Sequence, residues 1–545
     1  SFRNPLSTLD DRFNTRPRFE GLGGEANYGQ WFRGDAALFA GVSWQITDRL
    51  TFSGEYASDS QDLSTSVSTA EDRSPLNFGI QFKATPGLTL AAQYMQGDTI
   101  GASAHFAINP RVPPTGGDLS PAPVPVAVRG EGAAPWAGDL LHDAIPARAR
   151  VATLTAVLET EGMKLQQIEQ GDTFVRVRVH NERYDIIPQA IGRTARFLSL
   201  LMPSAVETFH IELVENGVAR SRVTLQRADL ERLEYQPDAI DASLAAARIG
   251  PAGTSDGLTT LPSARFEWGL GPYVGLALFD PDNPLRADLG LELSASYAFT
   301  PRLSISGALR GKVIGNRDES TRESDSVLSR VRSDQPLYDQ NGSYGIETLT
   351  MDHFGKIGTD LYTRASVGYF EQMFGGVSGE VLWKPVDSRL AFGAELNHVM
   401  QRDTDKLFGF GEYDYAVTTG HLSGYYSFEN GFDMQLDMGR YLAGDWGATL
   451  SIDRRFGNGW RVGAFATLTD VPFEDFGEGS FDKGIRITIP VSWVLGRPTR
   501  ETGELVLRSL QRDGGARLDV GNRLYETIRG YHAPELFDQW GRFWR

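Results

Sequence analysis

The chain has 545 residues and carries 70 acidic against 53 basic side chains, a formal net charge of -17. This acidity excludes the basic footprint of a nucleic-acid-binding protein, so no nucleic acid is expected as a partner. Cysteine is absent, which excludes disulfides, thiolate metal sites and a catalytic cysteine. The chain contains 60 glycines and 11% aromatic residues at a mean hydropathy of -0.29. Since no apolar run approaches the ~18 residues of a spanning helix, the composition fits an outer-membrane β-barrel.

Residues 1–108 predict part of a first β-barrel, because apolar and polar residues alternate with a period of two. The five alternating segments are 36–46, 50–58, 76–84, 88–96 and 100–108. Five strands cannot close, since the smallest transmembrane barrels have about eight and an open strand edge is costly in lipid. The missing strands are expected upstream of Ser1, on another chain, or in a second barrel. An export signal is not seen in the first residues, and it is expected to have been removed or to lie upstream.

The composition and the hydrophobic periodicity change twice in the middle of the chain. Eight prolines lie between Pro110 and Pro146, which predicts an extended linker over residues 109–150. Mixed helix and strand periodicity then predicts a small α/β module, expected in the periplasm, over residues 151–250. Its main predicted elements are a strand at 173–180, a helix at 189–201, and hairpin strands at 208–214 and 218–225.

Two arginines on the predicted helix are candidate binding residues of this module. Arg193 and Arg196 are three residues apart, so they share a helix face. They could hold an anionic sugar or a partner's carboxylate. The alternative is a surface pair bonded to Asp185 or Glu182, which would have no binding role.

The strongest alternation predicts a second β-barrel over residues 251–496. In the segment 288–299, Leu289, Leu291 and Leu293 share one face and polar residues occupy the other. About twelve strands are predicted, at 265–278, 288–299, 303–312, 345–354, 360–369, 377–385, 391–401, 416–427, 432–439, 446–455, 460–468 and 483–493. A soluble β-sandwich also alternates, but these strands exceed the usual ~5–6 residues of a soluble sheet. Long strands with apolar residues toward lipid and polar residues toward a wet lumen favour a transmembrane antiparallel barrel.

Aromatic residues near the strand ends support the membrane interpretation, because they resemble an interfacial girdle. They are Tyr297, Phe299, Trp383, Tyr425, Tyr426, Trp446, Trp460 and Trp493.

The polar face of these strands supplies the candidate lumen residues. They are Glu292, Arg310, Lys312, Arg364, Glu395, Asp433, Gln435, Asp437, Asp453, Arg461 and Arg486. The set mixes both signs of charge. It could offer a hydrogen-bonding surface to a hydroxyl-rich solute, or it could hold a plugged or narrow lumen by internal ion pairs, and the sequence leaves both open.

Catalytic and metal motifs are poorly supported. Residues 253–257 spell G-x-S-x-G, but a nucleophile elbow needs a strand before it and a helix after it, and this motif lies in a predicted linker. The eight histidines have no ligand spacing, and residues 280–283 predict a turn rather than a calcium loop. No catalytic residue, metal or cofactor is expected. The tail, residues 497–545, is predicted to be a short soluble α/β element.

Several motifs resemble the YjbH-type (GfcD-like) outer-membrane exopolysaccharide-biosynthesis proteins. The residues that carry the resemblance include Asn181-Glu182-Arg183-Tyr184, the run Gly439 to Ala448 (GRYLAGDWGA) and the run Phe476 to Gly484 (FGEGSFDKG). The resemblance implies two β-barrels in one polypeptide, with soluble α/β modules between and after them. It also implies a role in capsule or exopolysaccharide production or export, beside other products of a polysaccharide operon, and no enzyme activity. Family members carry a further stretch before the position of Ser1, with an export signal and the first strands of barrel one.

These observations predict a non-catalytic double β-barrel in the outer membrane of a Gram-negative bacterium, with soluble modules in the periplasm. Its expected partners are outer-membrane lipid, exopolysaccharide and other proteins of a polysaccharide secretion operon. The first alternative is a general diffusion porin. A weaker alternative is an outer-membrane polysaccharide hydrolase, which would need two lumen carboxylates roughly 5–10 Å apart.

Overall fold

The computed structural model describes residues 2–17, 28–57, 74–117, 119–129, 146–278, 283–321, 323–472, 475–476, 481–508 and 513–545. Residues 280–282 of the proposed turn and residues 477–480 of the motif at 476–484 lie outside these residues. The chain divides into two compact units, Ser1–Pro113 and Pro114–Arg545.

The first unit contains the five predicted strands. They are β1 (Phe39–Thr47), β2 (Leu50–Ala57), β3 (Leu76–Thr85), β4 (Leu88–Met95) and β5 (Thr99–Phe106), preceded by short 3-10 helices at Pro5–Thr8, Asp11–Asn14 and Tyr28–Gln30. The strands pair antiparallel in sequence order. Trp44 pairs with Phe52, and Phe52 pairs with Ile80, so apolar side chains line up across one face of the sheet. Trp44 and Ile80 are exposed on that face.

The second unit begins with the α/β module. Its elements are α1 (Ala147–Thr160), β6 (Met163–Gln170), β7 (Phe174–Asn181), α2 (Ile187–Leu201), β8 (Thr208–Glu215), β9 (Val218–Gln226), α3 (Arg227–Leu233), α4 (Ala239–Ala246), β10 (Arg248–Pro251) and β11 (Thr259–Thr260). They form one six-stranded sheet in the order β10-β9-β8-β7-β6-β11. β7 and β8 run parallel, which requires a crossover, and α2 supplies it.

Part of the predicted linker is packed against this module instead of being extended and free. Val126 and Ala127 are buried, and the Ala127 amide donates to Ser199 Oγ at 3.1 Å. The α1 helix starts at Ala147, still inside the predicted linker range. The alanine and valine residues between and after the prolines of 122–128 give this stretch an apolar surface that proline counting alone does not reveal.

Thirteen antiparallel strands in sequence order form a nearly closed barrel. They are β12 (Phe266–Leu278), β13 (Leu285–Thr300), β14 (Leu303–Gly315), β15 (Tyr344–Ile357), β16 (Leu361–Tyr369), β17 (Phe374–Trp383), β18 (Leu390–Gln401), β19 (Ala416–Ser427), β20 (Phe432–Arg440), β21 (Trp446–Arg455), β22 (Arg461–Thr469), β23 (Asp482–Pro490) and β24 (Thr502–Arg508). All twelve predicted strands are present. The thirteenth, β24, lies in the stretch that the sequence assigned to a soluble tail.

The two ends of this barrel differ. The connections 301–302, 358–360 and 428–431 are tight and define the short-turn end. The connections 316–343 and 402–415 define the long-loop end, and the former contains α5 (Gln335–Asn341). The module lies at the short-turn end, where Arg302 Nε donates to the Gly217 carbonyl at 3.4 Å. A short helix, α6 (Val491–Leu495), joins β23 to β24 at the same end.

The outward face of the barrel is apolar, and the inward face is polar. On neighbouring strands, Phe392, Leu396 and Leu422 are 52%, 65% and 69% exposed, whereas the residues between them are mostly buried. Two of the expected girdle aromatics, Tyr425 and Trp460, are instead buried. Tyr425 points inward because its position on β19 has the parity of the polar face.

The C-terminal stretch is not a separate soluble element. After β24, residues 513–532, which we call the plug segment, return through the barrel interior and include α7 (Leu524–Ile528). Asp513 accepts hydrogen bonds from the Arg332 and Ser333 amides at the long-loop end. A final helix, α8 (Ala533–Gln539), starts at the short-turn end, where the Ala533 amide donates to the Val386 carbonyl at 2.8 Å.

The last residues complete the core of the α/β module. Trp540 and Phe543 are buried in one cluster with strand and α2 residues of the module, and Trp540 Nε1 donates to Ser243 Oγ at 3.0 Å. The tail therefore crosses the barrel interior and is held at its far end by the module. None of the described helices is long and apolar enough to cross a membrane.

Candidate functional site

The barrel lumen is the candidate site, because all eleven sequence-predicted lumen residues are buried or half-buried on its inner face. Period-two alternation places them there, since consecutive side chains of a strand point to opposite faces. Their partners divide them into two groups. Eight lie on β16 and β18–β23, around or near the plug segment, and three lie on β13 and β14, near the long-loop end.

Glu395 on β18 is the centre of the first group. Its carboxylate oxygens lie 2.8 Å from Arg523 Nε and 3.6 Å from Arg517 Nη2, both on the plug segment. On the barrel wall, Arg364 Nη2 lies 3.7 Å away. Glu395 is buried and the plug arginines are half-buried, so these charges hold the segment in one register.

Arg364 on β16 links the same cluster to the next strand. Its Nε lies 3.1 Å from Glu380 Oε2, and its other nitrogens donate to Ser366 and Ser378 hydroxyls. The Glu380 carboxylate also accepts the Leu524 amide of the plug segment at 3.1 Å. Backbone and side chains of the plug segment are therefore both bound by the wall.

Two aspartates on β20 bind the segment further along. Asp437 Oδ1 lies 3.0 Å from Arg517 Nη1, and the Gln435 amide donates to Asp437 Oδ2 at 2.7 Å. Asp433 Oδ2 lies 2.9 Å from Arg529 Nη1 and 2.7 Å from Arg455 Nε. The arginines at 517, 523 and 529 are each six residues apart, and each contacts a wall carboxylate.

The remaining ion pairs of this group have longer distances between their charged atoms than those of the two β20 aspartates. Arg461 Nη2 lies 3.4 Å from Glu526 Oε2 of the plug segment, and Glu526 is half exposed. Asp453 and Arg486 pair with each other across the wall at 3.7 Å.

Apolar layers lie between these charged contacts. The rings of Tyr425 on β19 and Tyr525 on α7 stack with their centroids 3.9 Å apart. Leu524 and Ile528 are fully buried in the same cluster, together with Leu382 of the wall. Nearer the long-loop end, the plug residues at 516, 518 and 520 pack into another buried cluster. The middle of the lumen is therefore filled by protein.

Two members of the second group, Arg310 and Lys312, line an open cleft at the long-loop end, and Glu292 is paired with Arg310 beside it. Arg310 lies 2.6 Å from Glu292 and 2.7 Å from Glu347, and Lys312 is paired with Asp318. These cations are neutralised by the neighbouring strands β13 and β15 and by the loop that follows β14, not by the plug segment.

Burial perturbs carboxyl groups at both ends of the lumen. Burial raises the pKa of Glu535 on α8 to about 7, although Lys384 and Arg455 act to lower it. Burial likewise raises the pKa of Glu371, in the connection 370–373, to about 7, and its ion pair with Arg332 at 2.9 Å opposes this shift. Both groups take up protons near neutral pH more readily than a solvated carboxyl group does.

The two module arginines are buried, so the alternative prediction, a surface ion pair with Asp185 or Glu182, is wrong. Arg193 lies 3.0 Å from Glu161 and donates to the Pro121 carbonyl. Arg196 lies 3.2 Å from Glu234 and donates to the Trp544 carbonyl at 2.7 Å. Neither pairs with Asp185 or Glu182, because α2 is covered along nearly its whole length by the sheet and the C-terminus. Their position fixes the chain end and leaves no surface for a sugar.

The described residues show little catalytic machinery. Ser255, in the G-x-S-x-G motif, lies in the connection from β10 to β11, where its hydroxyl accepts from Arg178 at 2.8 Å. No helix follows it within this connection. Groups of three or more potential metal ligands are absent from the described part of the chain. One carboxylate pair does exist, since Glu380 and Glu395 face each other across β17 and β18, but the plug segment contacts both.

The sequence interpretation missed the plug arginines Arg517, Arg523 and Arg529. A signal was present: Glu395, Asp433, Asp437 and Asp453 put acidic residues on the polar face of nearby strands, with few basic residues on those strands to match them. The arginines that compensate for them follow the last strand of the barrel.

The fold and site define a β-barrel protein whose lumen holds its own C-terminal segment. The chain belongs to the YjbH family, described as "Exopolysaccharide biosynthesis protein YbjH", whose profile matches residues 1–530. It is 31% identical over 543 residues to "Uncharacterized lipoprotein YjbH" of Escherichia coli (strain K12), an alignment that covers 96% of this chain and 75% of that protein. The resemblance predicted from the sequence motifs is thereby confirmed.

Proposed function

We propose that this protein is an outer-membrane β-barrel that takes part in exopolysaccharide secretion and has no catalytic step of its own. The family match over nearly the whole chain carries the polysaccharide role. The lipoprotein name of its Escherichia coli relative supports a place in a Gram-negative cell envelope.

The outward face of the 13-stranded barrel supports the membrane location. Large apolar side chains such as Leu396, Leu422 and Met438 are more than half exposed there. A soluble protein rarely exposes so continuous an apolar surface, whereas lipid solvates it. Among the described residues, most of the inward acids and arginines named above are hydrogen-bonded or ion-paired.

The five-stranded sheet supports a second barrel. Its apolar face, which includes Val42, Trp44 and Phe78, is largely exposed, and its other face carries polar residues such as Ser53 and Gln81. This is the two-sided pattern of a transmembrane wall, and five strands are too few to close one. The sheet is therefore proposed to be one sector of a barrel that other strands complete.

The filled lumen favours a regulated or scaffolding role over free diffusion. Ion pairs, a tyrosine stack and buried leucine and isoleucine side chains hold the plug segment inside the 13-stranded barrel. A polymer could cross this barrel only if the segment moved. A general diffusion porin would need an open path through the same space.

Deletion of the gene in its native host, with complementation by the full-length protein, tests the proposal. Secreted polysaccharide should fall while intracellular polysaccharide persists or accumulates. Unchanged secretion would contradict the role. Planar-bilayer recording of the purified protein separates the porin alternative, since a large constitutive current would support the porin and its absence the plugged barrel.

One observation supports the hydrolase as a second candidate. Glu380 and Glu395 are cross-strand neighbours, and paired carboxylates are the groups that glycosidases use. Depolymerisation of the host's polysaccharide by the wild type, lost in Glu380→Gln, would establish it. Equal polymer length with both proteins would exclude it.

A further inference from the structure

Three basic side chains meet where the module, the barrel and the end of the plug segment join, around the ring of Tyr362 on β16. The guanidinium carbon of Arg220, on β9, lies 5.6 Å from the ring centroid, and Lys356 Nζ, on β15, lies 4.9 Å from it. His532 Nε2 lies 3.1 Å from the Tyr362 hydroxyl. This junction lies at the short-turn end, whereas the cleft lies at the long-loop end, and its residues are outside the predicted lumen set.

Arg220 has no counter-ion. It is 0% exposed, and its Nε and Nη2 atoms have no hydrogen-bond partner. Among the described residues, no carboxylate oxygen lies within 4.0 Å of its guanidinium. Glu215 interacts with it at longer range, but Glu215 is already bound by Arg500 at 2.9 Å and by the Tyr531 hydroxyl at 2.6 Å.

The neighbouring groups supply negative charge only at longer range, from Asp360 and Glu212, and no described carboxylate forms an ion pair with Lys356. Lys356 Nζ is buried and lacks a hydrogen-bond partner. Burial lowers the pKa of His532 well below its ordinary value, so the imidazole is neutral at physiological pH. Arginine does not lose its proton in proteins, and contact with the Tyr362 ring recovers only part of the cost of burying a guanidinium.

The two partnerless donors of Arg220 belong to one edge of the guanidinium. The Nε and Nη2 protons point in parallel, and this fork matches the two oxygens of a carboxylate or phosphate group. A nearby ammonium adds a second positive charge without fixed direction. The charge, the donor geometry and the burial all point to the same kind of ligand.

We propose that the junction binds a compact oxyanion, a carboxylate or phosphate group, on Nε and Nη2 of Arg220 with Lys356 as the second cation. Since the two cations come from the module and the barrel, and His532 of the tail contacts the same tyrosine, the anion stabilises the joint of all three parts. The ligand is either free phosphate or the acidic group of a sugar. The inference does not depend on the secretion role.

Thermal unfolding of the full chain in detergent, followed by tryptophan fluorescence, tests the site. Inorganic phosphate and D-glucuronate are titrated separately, with ionic strength held constant by chloride. The wild type should show a saturable rise in Tm with at least one of them. A response to phosphate alone identifies free phosphate as the source, and a response to glucuronate identifies an acidic sugar.

Substitutions of Arg220 test whether its Nε and Nη2 donors cause the rise in Tm. Arg220→Met should abolish it, and Arg220→Lys, which keeps the charge but not the fork, should raise the concentration at half-saturation at least tenfold. Lys406→Gln is the matched control, because Lys406 has no ion pair with any described residue either but lines the cleft at the other end. It should respond as the wild type does.

Arg220→Met should fold, because it removes a charge that no protein group neutralises. Should it fail to fold, the Arg220→Lys shift still decides the question. The proposal is overturned if neither anion gives a saturable response in the wild type, or if Arg220→Lys responds at the same concentrations as the wild type.

Discussion

On β18 and β20 the inward acids are neutralised by arginines of the plug segment, whereas on β14 the inward cations are neutralised by neighbouring strands and the loop that follows. The first region is filled and buried, and the second borders an open cleft. One alternating sequence pattern therefore produces two kinds of lumen wall. The two regions differ in which part of the chain supplies the opposite charge. Substitutions in them should therefore lower the free energy of unfolding by different amounts.

The largest expected effect is at Glu395. Glu395→Gln leaves Arg523, Arg517 and Arg364 around a neutral amide, and removal of one partner from a buried ionic cluster costs about 3–5 kcal/mol. The free energy of unfolding, measured by urea titration in detergent with tryptophan fluorescence, should fall by that amount. A change below about 1 kcal/mol would show that the plug segment is not held by these charges.

The second-largest loss of stability is expected in the apolar layer of the plug segment. Tyr525→Ala removes a buried ring that stacks on Tyr425, and such truncations cost about 3 kcal/mol or more. The same variant should open a path and raise the frequency of conducting events in planar bilayers. Tyr297→Ala, on the outward face of β13, is the control and should leave the conductance unchanged.

The pH dependence of the free energy of unfolding should reflect Glu535. Its pKa is about 7 in the folded protein against an ordinary value of 4.5, so the folded state binds the proton more tightly. Glu535 should therefore contribute a loss of stability of roughly 3 kcal/mol as the pH rises from about 4.5 to 7, whereas His532, whose pKa is lowered by burial, contributes in the opposite direction. Glu535→Gln should remove only the contribution of Glu535, because Glu371 contributes in the same direction and is unchanged. A stability difference between the wild type and Glu535→Gln that does not fall as the pH rises from about 4.5 to 7 would contradict the assignment.

The smallest effect is expected on the cleft side. Glu292 and Arg310 are each about one third exposed, and a pair of this kind contributes about 1 kcal/mol or less. Glu292→Gln should lower the unfolding free energy by no more than that, in the same urea titration as Glu395→Gln. Equal losses in the two variants would remove the distinction between the two regions.

Much of the barrel wall could be predicted from the sequence. Leu289, Leu291 and Leu293 alternate with polar residues over a length that strand geometry requires, and all twelve predicted strands are present. The five strands of the first unit were likewise predicted. Period two is a local property, so it can be read from neighbouring residues.

The plug segment could not be predicted in the same way. Arg523 and Tyr525 are buried by strands that lie about 100 residues earlier, and their spacing follows the positions of wall carboxylates rather than a helix or strand period. Tyr425 was assigned to the lipid interface because aromatic residues are common there. Its partner on α7 is what makes an inward position favourable.

The occupied lumen is the central claim, and the absence of cysteine allows a direct test. Tyr425→Cys and Tyr525→Cys are combined in the full chain, and a short bifunctional methanethiosulfonate is added to cells or native membranes. We expect near-complete intramolecular cross-linking, seen as a mobility shift on denaturing gels that a reductant reverses. The control pair, Phe392→Cys with Tyr525→Cys, should give none, since Phe392 faces outward. Absence of the 425–525 cross-link, with both thiols present and reactive after unfolding, would contradict the account.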